Sequence, residues 1–492
     1  MTLKVGNDRS MKSEGIRDRA PLLDSYLSYF ERTNQPFIIP GHKQRASLLD
    51  ANLGKVVDLD IPLFGGLDEM KLTRGVLQKA EKLAAELWGG DWARFSTGGS
   101  THANQAIILS LGIPGDKIAV TRTAHRSVIT ALVLAGLEPL WLFPEIDPLT
   151  GVSTGIPLSE FERVLPQKPI ALLLTEPGYL GTLSDLPPLI NSAHQNGIPV
   201  IIDAAWGGHF GFHPAFPKNP MEVGADAFVT SIHKALPGYG ASAIAVAKTG
   251  LLNRSRLEQG FESTHTTSPA GAPLASIDGV RALMELRGEE LLGTLLENIS
   301  DFRASICTEF GDEILLRPSD FMASRFDPAK LILRANTIGA NGLIIERELI
   351  SRGVRVEMAD KDTLVIHATI VDDADTFNQL AEALFPVLRK NMGLRRGSSS
   401  AISWSIKPTI ARSTREAYFA ESQMIGAEDS LGRISADLIA PYPPGIPVLA
   451  PGEVITQEIL HGLITAKHEG IRIAYASDPT LATFRVLKFD VD

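Results

Sequence analysis

Short apolar runs alternate with helical stretches through the middle of the chain, and this alternation restricts the fold more than any other feature. The β-rich runs occupy residues 117–120, 139–143, 170–175, 199–204, 227–231 and 241–247. Helical stretches such as 127–137 and 186–196 separate most of them. Strands that alternate with helices form a mainly parallel sheet with helices on both faces. The pattern therefore predicts an α/β fold that binds its ligand beyond the carboxyl ends of the strands.

The 492 residues are too many for one ordinary core, and the pattern suggests four parts. We expect an N-terminal arm over 1–55, a large domain over 56–310, a small α/β domain over 311–395 and a C-terminal domain over 396–492. Predicted helices span 21–32, 74–88, 276–310, 375–389 and 457–466, and predicted strands of the small domain span 330–335, 355–358 and 363–367. Residues 397–400 are expected to be a linker, and the proline-rich run APYPPGIPVLAPGE is expected to be irregular.

Composition narrows the classes of partner. Hydrophobic residues make up 44% and charged residues 21% of the chain, which is typical of globular proteins. A net charge of −10 argues against nucleic acid or an anionic membrane as the partner. The single Cys307 fits a reducing compartment, and the polar N-terminus lacks the apolar core of a secretory signal. These features predict a cytoplasmic protein.

Lys234 occupies an unusual place in the sequence. In the stretch SIHKALPGYG, which follows the apolar run 227–229, it lies between His233 and a Gly/Pro-rich turn. Burying an ammonium group without a partner is costly. A lysine that forms a Schiff base gains from the same burial, because desolvation lowers its pKa and frees the nucleophilic amine.

Three other stretches gather polar groups at strand ends or helix starts, and each has an ordinary alternative. STGGSTHANQ (96–105) could cradle a phosphate with backbone N–H groups, or could be a glycine turn with a Ser/Thr cap. His125 in TAHRSV could be a helix cap or a satisfied core residue. Asp203 ends an apolar strand and needs a partner such as a protonated ring nitrogen or a metal. We expect no metal, because the nearby His209 and His213 form no recognisable ligand set.

Together these groups are the parts of a pyridoxal phosphate enzyme: a lysine, a carboxylate for the ring nitrogen and a phosphate loop. The sequence resembles the ornithine/lysine/arginine decarboxylase family of fold-type I (aspartate-aminotransferase-like) enzymes, in the short form without a wing domain. The resemblance covers about residues 36–485. It lies, in the family's order, in FIIPGHK, GGSTHANQA, RTAHRS, EPGYLGTLSDL, PVIIDAAWGGHF, GADAFVTSIHKALPG, HTTSPAGAPLASIDGVRAL, DPAKL, GRISADLIAPYPPGIPVLAPGE and SDPTL.

The resemblance implies a fold and a set of residue roles. The fold is a mainly parallel seven-stranded sheet with helices on both faces, followed by smaller α/β domains. Lys234 matches the Schiff-base lysine, Asp203 the partner of the pyridinium nitrogen and His125 the histidine that stacks on the ring. The positions implied around the phosphate are Ser100, Thr101, Ser231 and His233. The positions implied to reach the cofactor of a partner subunit are Thr266, Thr267 and Ser268. Departures at Ala204, Trp206 and 238–240 bear on the choice of substrate.

The implied reaction is decarboxylation of lysine, arginine or ornithine to the diamine or agmatine, with Lys234 or His233 returning a proton to Cα. Two alternatives stay open: another pyridoxal phosphate reaction such as transamination or aldol cleavage, and a non-catalytic regulatory relative. The expected partners are a small basic amino acid and a second copy of the chain, as a homodimer or a higher assembly of dimers.

A basic substrate needs a carboxylate for its distal cation, because the cation loses water on entering the site. The candidates are Glu357 in VRVEMAD and Glu453 in APGEV. The alternatives are that Glu357 is a surface strand residue and that Glu453 is a favourable charge at a helix N-terminus.

Overall fold

The computed structural model describes residues 10–32, 37, 39–61, 75–147, 152–317, 320, 325–397, 406–442 and 446–488. Most of the predicted linker at 397–400 and the first residue of the helix predicted at 74–88 lie outside the described residues. The predicted domain limits stay predictions.

The strands and helices alternate through the large N-terminal part of the chain. The strands are β1 Trp92–Ser96, β2 Lys117–Thr121, β3 Glu138–Leu142, β4 Glu145–Ile146, β5 Ser153–Gly155, β6 Leu172–Thr175, β7 Val200–Asp203, β8 Ala227–Ser231, β9 Ala243–Ala247, β10 Lys330–Arg334, β11 Met358–Ala359, β12 Thr363–His367, β13 Ser422–Gly426, β14 Ala440–Tyr442, β15 Arg472–Ala474 and β16 Thr483–Leu487. The α-helices are α1 Ser10–Arg19, α2 Pro21–Arg32, α3 Ala51–Val57, α4 Val76–Leu87, α5 Gly99–Leu111, α6 Arg126–Ala135, α7 Leu158–Val164, α8 Leu186–Gln195, α9 Arg254–Thr264, α10 Gly271–Phe310, α11 Gly342–Ser351, α12 Ala374–Asn391, α13 Thr414–Phe419 and α14 Gln457–His468.

The central sheet has seven strands in the order β1-β9-β8-β7-β6-β2-β3. Strands β3, β2, β6, β7 and β8 run parallel to one another, and β9 is antiparallel to both β8 and β1. The predicted mainly parallel sheet is therefore confirmed. Because Ser231 pairs with Ala243, the stretch that contains Lys234 is the connection between β8 and its antiparallel neighbour.

Both faces of the sheet are buried, and the alternation of side chains shows it. Leu172 and Leu174 of β6 pack into one hydrophobic cluster, whereas Leu173 packs into another on the opposite face. Helices α4, α8 and α10 contribute to the first cluster, and α5, α6 and α9 to the second. Successive residues of a strand point to opposite faces, so helices cover the sheet on both sides and only its strand ends are left for a site.

A second sheet lies after the long helix α10. It is antiparallel, with the order β10-β12-β11. The predicted strands at 330–335 and 363–367 are confirmed. The strand predicted at 355–358 is displaced, because the paired residues of β11 are Met358 and Ala359.

The C-terminal part contains more regular structure than its prolines suggested. Ala440–Tyr442 forms a strand that pairs antiparallel with Arg472–Ala474, so the expectation of an irregular APYPPGIPVLAPGE is wrong for its first residues. Pro441 is tolerated because a two-stranded sheet leaves one edge of each strand free of ladder hydrogen bonds. Within the described part of the chain, no helix is long and apolar enough to cross a membrane.

Candidate active site

A cavity of about 740 Å³ opens at the carboxyl ends of β6, β7 and β8. Thr175, Asp203 and Ser231 are the last residues of those strands, and all three line it. Further walls come from the start of α5, from residues around β11 and from the C-terminal part. The C-terminal lining residues are Tyr442, Ile446, Glu469 and Ile471. The cavity therefore lies where a mainly parallel sheet is expected to bind its ligand.

The structure brings most of the predicted site residues together. Those that line the cavity are Ser100, Thr101, His125, Asp203, Ser231, His233, Lys234 and Glu357. Thr266, Thr267 and Ser268 are exposed and do not line it. Glu453 also lies outside its walls.

Lys234 is held against an aromatic ring. Its Nζ lies 4.5 Å from the ring centroid of Trp206. Burial lowers the pKa of Lys234, and the nearby carboxylates of Asp203 and Glu357 oppose that shift. A lowered pKa raises the fraction of free amine, which is the nucleophilic form.

Asp203 is 1% exposed at the end of β7. Its Oδ2 accepts a hydrogen bond from Asn104 Nδ2 at 2.9 Å, and its Oδ1 accepts one from the Ala205 N–H at 3.2 Å. Burial raises the pKa of Asp203, while the charge of Lys234 and these hydrogen bonds lower it. Because burial opposes the charged form of this carboxylate, a further N–H donor such as a protonated ring nitrogen would stabilise it.

Sequence reasoning missed the role of Asn104. It lies one helical turn after Ser100 on α5, so both residues are on the same face of that helix. Its Nδ2 also donates to Ser127 Oγ at 3.2 Å, which connects Asp203 to the start of α6. The four-residue spacing of Ser100 and Asn104 in GGSTHANQ is the sequence feature that could have indicated this role.

The start of α5 has the donors that a phosphate needs. Gly99, with φ of +67°, begins this 13-residue helix, whose first N–H groups have no partners within the helix. Ser100 Oγ lies 2.7 Å from Ser231 Oγ, so two hydroxyls meet beside the helix N-terminus. These donors fit a bound anion.

His125 both caps a helix and lines the cavity. Its Nδ1 accepts the Ser127 N–H at 3.2 Å at the start of α6, so the cap that the sequence left open as an alternative is present. Burial and the neighbouring charges of Lys234 and Arg126 lower the pKa of His125 to about 4. The imidazole is therefore neutral at neutral pH, and a neutral ring is suited to stacking on a flat ligand.

His233 has a fixed orientation. Its Nδ1 donates to the Ser242 carbonyl at 2.8 Å, because a carbonyl oxygen can only accept. The Nε2 atom is then the nitrogen available for proton transfer. His233 is adjacent to Lys234 and lines the same cavity.

Glu357 lies at an exposed part of the cavity wall. Its Oε1 accepts the Tyr179 hydroxyl at 2.8 Å, and it has no ion-pair partner within 4 Å in the described chain. Its position leaves a charged carboxylate beside the cavity, as a cationic ligand requires.

Glu453 is not free to bind the distal cation of a substrate, and the structure corrects that prediction. Its side chain is 2% exposed and forms a bidentate ion pair with Arg122, at 2.6 Å to Nη1 and 3.0 Å to Nη2. The Ala450 N–H donates to the same carboxylate at 2.8 Å. The helix alternative is also wrong, because α14 begins only at Gln457. Glu453 is instead a structural residue, since both of its oxygens are already bound.

The fold and this site together define a class: fold-type I enzymes of the pyridoxal phosphate type, with a lysine and a carboxylate at adjacent strand ends and an anion site at a helix N-terminus. Comparison with known proteins identifies the family. The chain belongs to the Orn/Lys/Arg decarboxylase family, whose major domain matches residues 20–375 and whose C-terminal domain matches residues 399–470. The resemblance stated from the sequence is confirmed, and the chain is an amino-acid decarboxylase.

Similar proteins span nearly all of the chain. An arginine decarboxylase of Halalkalibacterium halodurans is 33% identical over 96% of this chain and 98% of its own length. An arginine decarboxylase of Bacillus subtilis is 31% identical over 95% and 98%. The structure of lysine decarboxylase A from Pseudomonas aeruginosa superposes with a TM-score of 0.81 at 19% identity, over 98% of this chain and 82% of that one. The last comparison supports the fold alone.

Proposed function

We propose that the chain decarboxylates L-arginine to agmatine and CO2, with pyridoxal phosphate held in the cavity. The observation that carries the proposal is that Lys234 and Asp203 line one cavity whose wall also carries the Glu357 carboxylate. The choice of arginine rests on sequence relatives: four named arginine decarboxylase are 31–33% identical, whereas three named lysine decarboxylase are 22–24% identical.

The cavity residues fit the cofactor. Lys234 would hold it covalently, Asp203 would face its ring nitrogen and His125 would stack on its ring. The hydroxyls of Ser100, Thr101 and Ser231, with the N-terminus of α5, would hold its phosphate. When bound, the cofactor supplies an electron sink for the pair of electrons that CO2 leaves behind.

The chain's own residues bind and orient the substrate. Glu357 would take the distal guanidinium by a charge-assisted hydrogen bond, with the Tyr179 hydroxyl holding the carboxylate in place. Asn104 would hold the Asp203 carboxylate toward the ring nitrogen. The neutral form of His125 avoids a second positive charge beside that nitrogen.

The reaction consumes one proton at Cα. Lys234 in its ammonium form or His233 in its imidazolium form would donate it. The hydrogen bond from His233 Nδ1 to Ser242 leaves Nε2 as the nitrogen that delivers the proton.

The assembly that we propose is a homodimer with shared sites. Several apolar side chains between residues 37 and 59 are exposed, among them Phe37 at 90% and Leu49 at 88%. Exposed apolar groups clustered in one segment favour an interface, and a two-fold dimer is the commonest assembly. Thr266 and Ser268, exposed in the single chain, would reach the partner's phosphate site. The cytoplasmic location stays a prediction.

A substrate panel tests the function. The holoenzyme is incubated with L-arginine, L-lysine and L-ornithine, and CO2, the amine product and any keto acid are quantified. We expect CO2 and agmatine in equal amounts from arginine, with slower release from the other two. Keto acid from arginine would show transamination, and cofactor binding without turnover of any of the three would show a regulatory relative. Faster release from lysine or ornithine would overturn the choice of arginine.

A further inference from the structure

Lys330 is a second buried amine close to the cavity, and nothing in the proposed mechanism uses it. It is the first residue of β10, its exposure is 0%, and its Nζ has no hydrogen-bond partner among the described residues. The Nζ lies 3.5 Å from the ring centroid of Trp206 and 5.7 Å from that of Tyr179. An ammonium group buried without hydrogen bonds is costly, so its position calls for a physical explanation.

The backbone around Lys330 fixes this position. Its N–H donates to the Asp327 carbonyl at 3.1 Å, which closes a tight turn. Gly181, with φ of +90°, packs so closely that a Cβ there would lie 2.9 Å from Lys330 Cγ. The side chain is therefore confined between this turn and the Trp206 ring.

The nearest buried carboxylate does not bind the amine directly. Asp327 Oδ1 accepts from His209 Nε2 at 3.1 Å and from the Ala329 N–H at 3.0 Å. Asp327 Oδ2 has no hydrogen-bond partner in the described chain, and no ion pair within 4 Å joins it to Lys330. The direct contact of the ammonium group is the face of Trp206, a cation–π contact in a desolvated place.

The same ring contacts Lys234. The Nζ atoms of Lys330 and Lys234 lie 3.5 Å and 4.5 Å from the Trp206 centroid, so they are at most about 8 Å apart, the sum of the two distances. A cation this close to an amine disfavours the protonated form of that amine.

We propose that Lys330 is a positioning residue of the site: it holds the Trp206 ring beside Lys234, and its positive charge disfavours a proton on the Lys234 nitrogen. The inference deepens the proposed function. It rests on that function in one respect, the binding of the cofactor to Lys234. Trp206 is thus a wall of the cavity whose orientation depends on the amine packed against it.

Other charged and titratable groups near the two amines also influence the protonation of the site. They are Asp203, Asp327 and Glu357, which favour protons on the amines, together with His125, His209, His367, Tyr179 and Arg126. Burial lowers the pKa of Lys330 to about 8, against the attraction of Asp327 and Glu357, and the charge of Lys234 lowers it further. Burial and the charge of Lys330 lower the pKa of His367 to about 3, so that ring is neutral. The effect of Lys330 on Lys234 is therefore present below about pH 8 and fades above it.

The test measures the protonation of Lys234 in Lys330→Met, Lys330→Gln and Lys330→Arg. Two titrations are used: the pH dependence of the cofactor absorbance band in the holoenzyme, and the pH dependence of Lys234 acetylation by acetic anhydride in the full chain without added cofactor, read by peptide mass spectrometry. Lys390→Met, which removes an exposed lysine bound to Glu348, is the matched control.

Removal of the charge in Lys330→Met and Lys330→Gln is expected to slow acetylation of Lys234 about tenfold at pH values below about 8, where Lys330 is charged. It should also raise any midpoint of the cofactor band below pH 8 by about one pH unit, the size of a single charge at this distance in a protein interior. Lys330→Arg is expected to stay near wild type, as is Lys390→Met. Acetylation rates of Lys234 below pH 8 that equal the wild-type rate in both neutral variants would overturn the inference. Because acetylation needs no cofactor, a wild-type holoenzyme without an absorbance band would count against the proposed function and leave this test intact.

Discussion

At the scale of single residues, each reactive group in the cavity depends on a neighbour that sets its charge or orientation. Asn104 and the Ala205 N–H hold Asp203, Ser242 holds His233, and Trp206 lies against Lys234. The chemistry of the site is therefore sensitive to substitutions that keep shape but change charge.

Asp203→Asn is such a substitution. An amide cannot keep a ring nitrogen protonated, so the electron sink weakens while the shape of the site is kept. We expect cofactor to be retained in part and kcat to fall by ~100-fold or more, the usual cost of losing one electrostatic stabiliser. Steady-state kinetics and the cofactor absorbance of the purified variant check this.

Asp226→Asn is the matched control, because Asp226 is also a buried carboxylate beside a strand but binds His194 and the Val200 N–H outside the cavity. Its kcat per folded molecule should stay near wild type. Equal activity of Asp203→Asn and the control would assign Asp203 a structural role only.

Glu357→Gln tests whether Glu357 binds the distal guanidinium of the substrate. Loss of the negative charge removes a contact made equally in the bound substrate and in the transition state, so KM for arginine should rise ~10-fold or more with little change in kcat. The cofactor spectrum should not change. A KM within about twofold of wild type would exclude Glu357 as the residue that binds the guanidinium.

Glu453→Gln is the contrasting variant. It breaks the buried pair with Arg122 and leaves a guanidinium without its counter-charge. The expected result is a loss of stability of ~3 kcal/mol or more with KM per folded molecule unchanged. Thermal denaturation and kinetics at low temperature separate the two effects.

These two glutamates also show what the sequence could reveal at this scale. Lys234 and Asp203 were predictable because their positions follow apolar strands, and strand ends of a parallel sheet converge. The partner of Glu453 is 331 residues away, and the cation–π contact of Lys330 joins β10 to the loop after β7. Contacts of that kind leave no local pattern, so the role of Glu453 was misjudged and that of Lys330 was not foreseen.

At the scale of elements, the start of α5 depends on backbone geometry. Gly99 has φ of +67°, and its N–H donates to the Ala241 carbonyl at 2.6 Å. Gly98 packs on His102, where an added Cβ would lie 2.8 Å from His102 Cβ. The loop that would hold the phosphate therefore needs glycine at both positions.

Gly99→Ala should weaken cofactor binding. A Cβ is strained at this positive φ, at a cost of about 1–2 kcal/mol, so relaxation of the loop should weaken affinity for pyridoxal phosphate by ~10-fold. Titration of the cofactor-depleted protein by absorbance measures it. Gly240→Ala is the control, because Gly240 has open space around it and no positive φ. Equal affinities in the two variants would mean that the loop geometry does not hold the phosphate.

The strands of the central sheet were largely predictable, and the exception has a physical cause. Fully buried strands such as β6 and β8 give continuous apolar runs, which the sequence displays directly. Strand β1 was missed because it contains Arg94, whose charge is neutralised by Glu81 and Glu258 from two different helices. Its burial is thus a consequence of tertiary contacts.

At the scale of the whole molecule, the C-terminal part contributes a wall of the cavity in the same chain. The Arg122–Glu453 ion pair joins it to the end of β2, and Arg126 stacks on Tyr475 at 4.0 Å. Lys361 beside β11 pairs with Glu469 at 2.9 Å. These contacts hold Tyr442 and its neighbours at the cavity wall. Substitutions in the contacting pairs are therefore expected to change the shape of the cavity although they alter none of the residues that would bind the cofactor.

The proposed sharing of sites between two subunits predicts complementation of two defective variants. Lys234→Met lacks the reactive amine but keeps Thr266 and Ser268, and the double variant Thr266→Ala, Ser268→Ala has the opposite defect. In a mixed dimer, one of the two sites receives Lys234 from one subunit and both hydroxyls from the other. Random exchange should therefore restore about a quarter of wild-type activity per subunit, as the statistics of a two-fold dimer require.

The mixing experiment needs the mixed dimers to be seen directly, for example by native mass spectrometry of subunits with different tags. Each variant alone, carried through the same exchange, sets the background. Mixed dimers without recovered activity would show that the 266–268 segment does not act on the partner's site. A stable and fully active monomer in sedimentation analysis would contradict the dimer itself, and the exposed apolar side chains of 37–59 would then need a different partner.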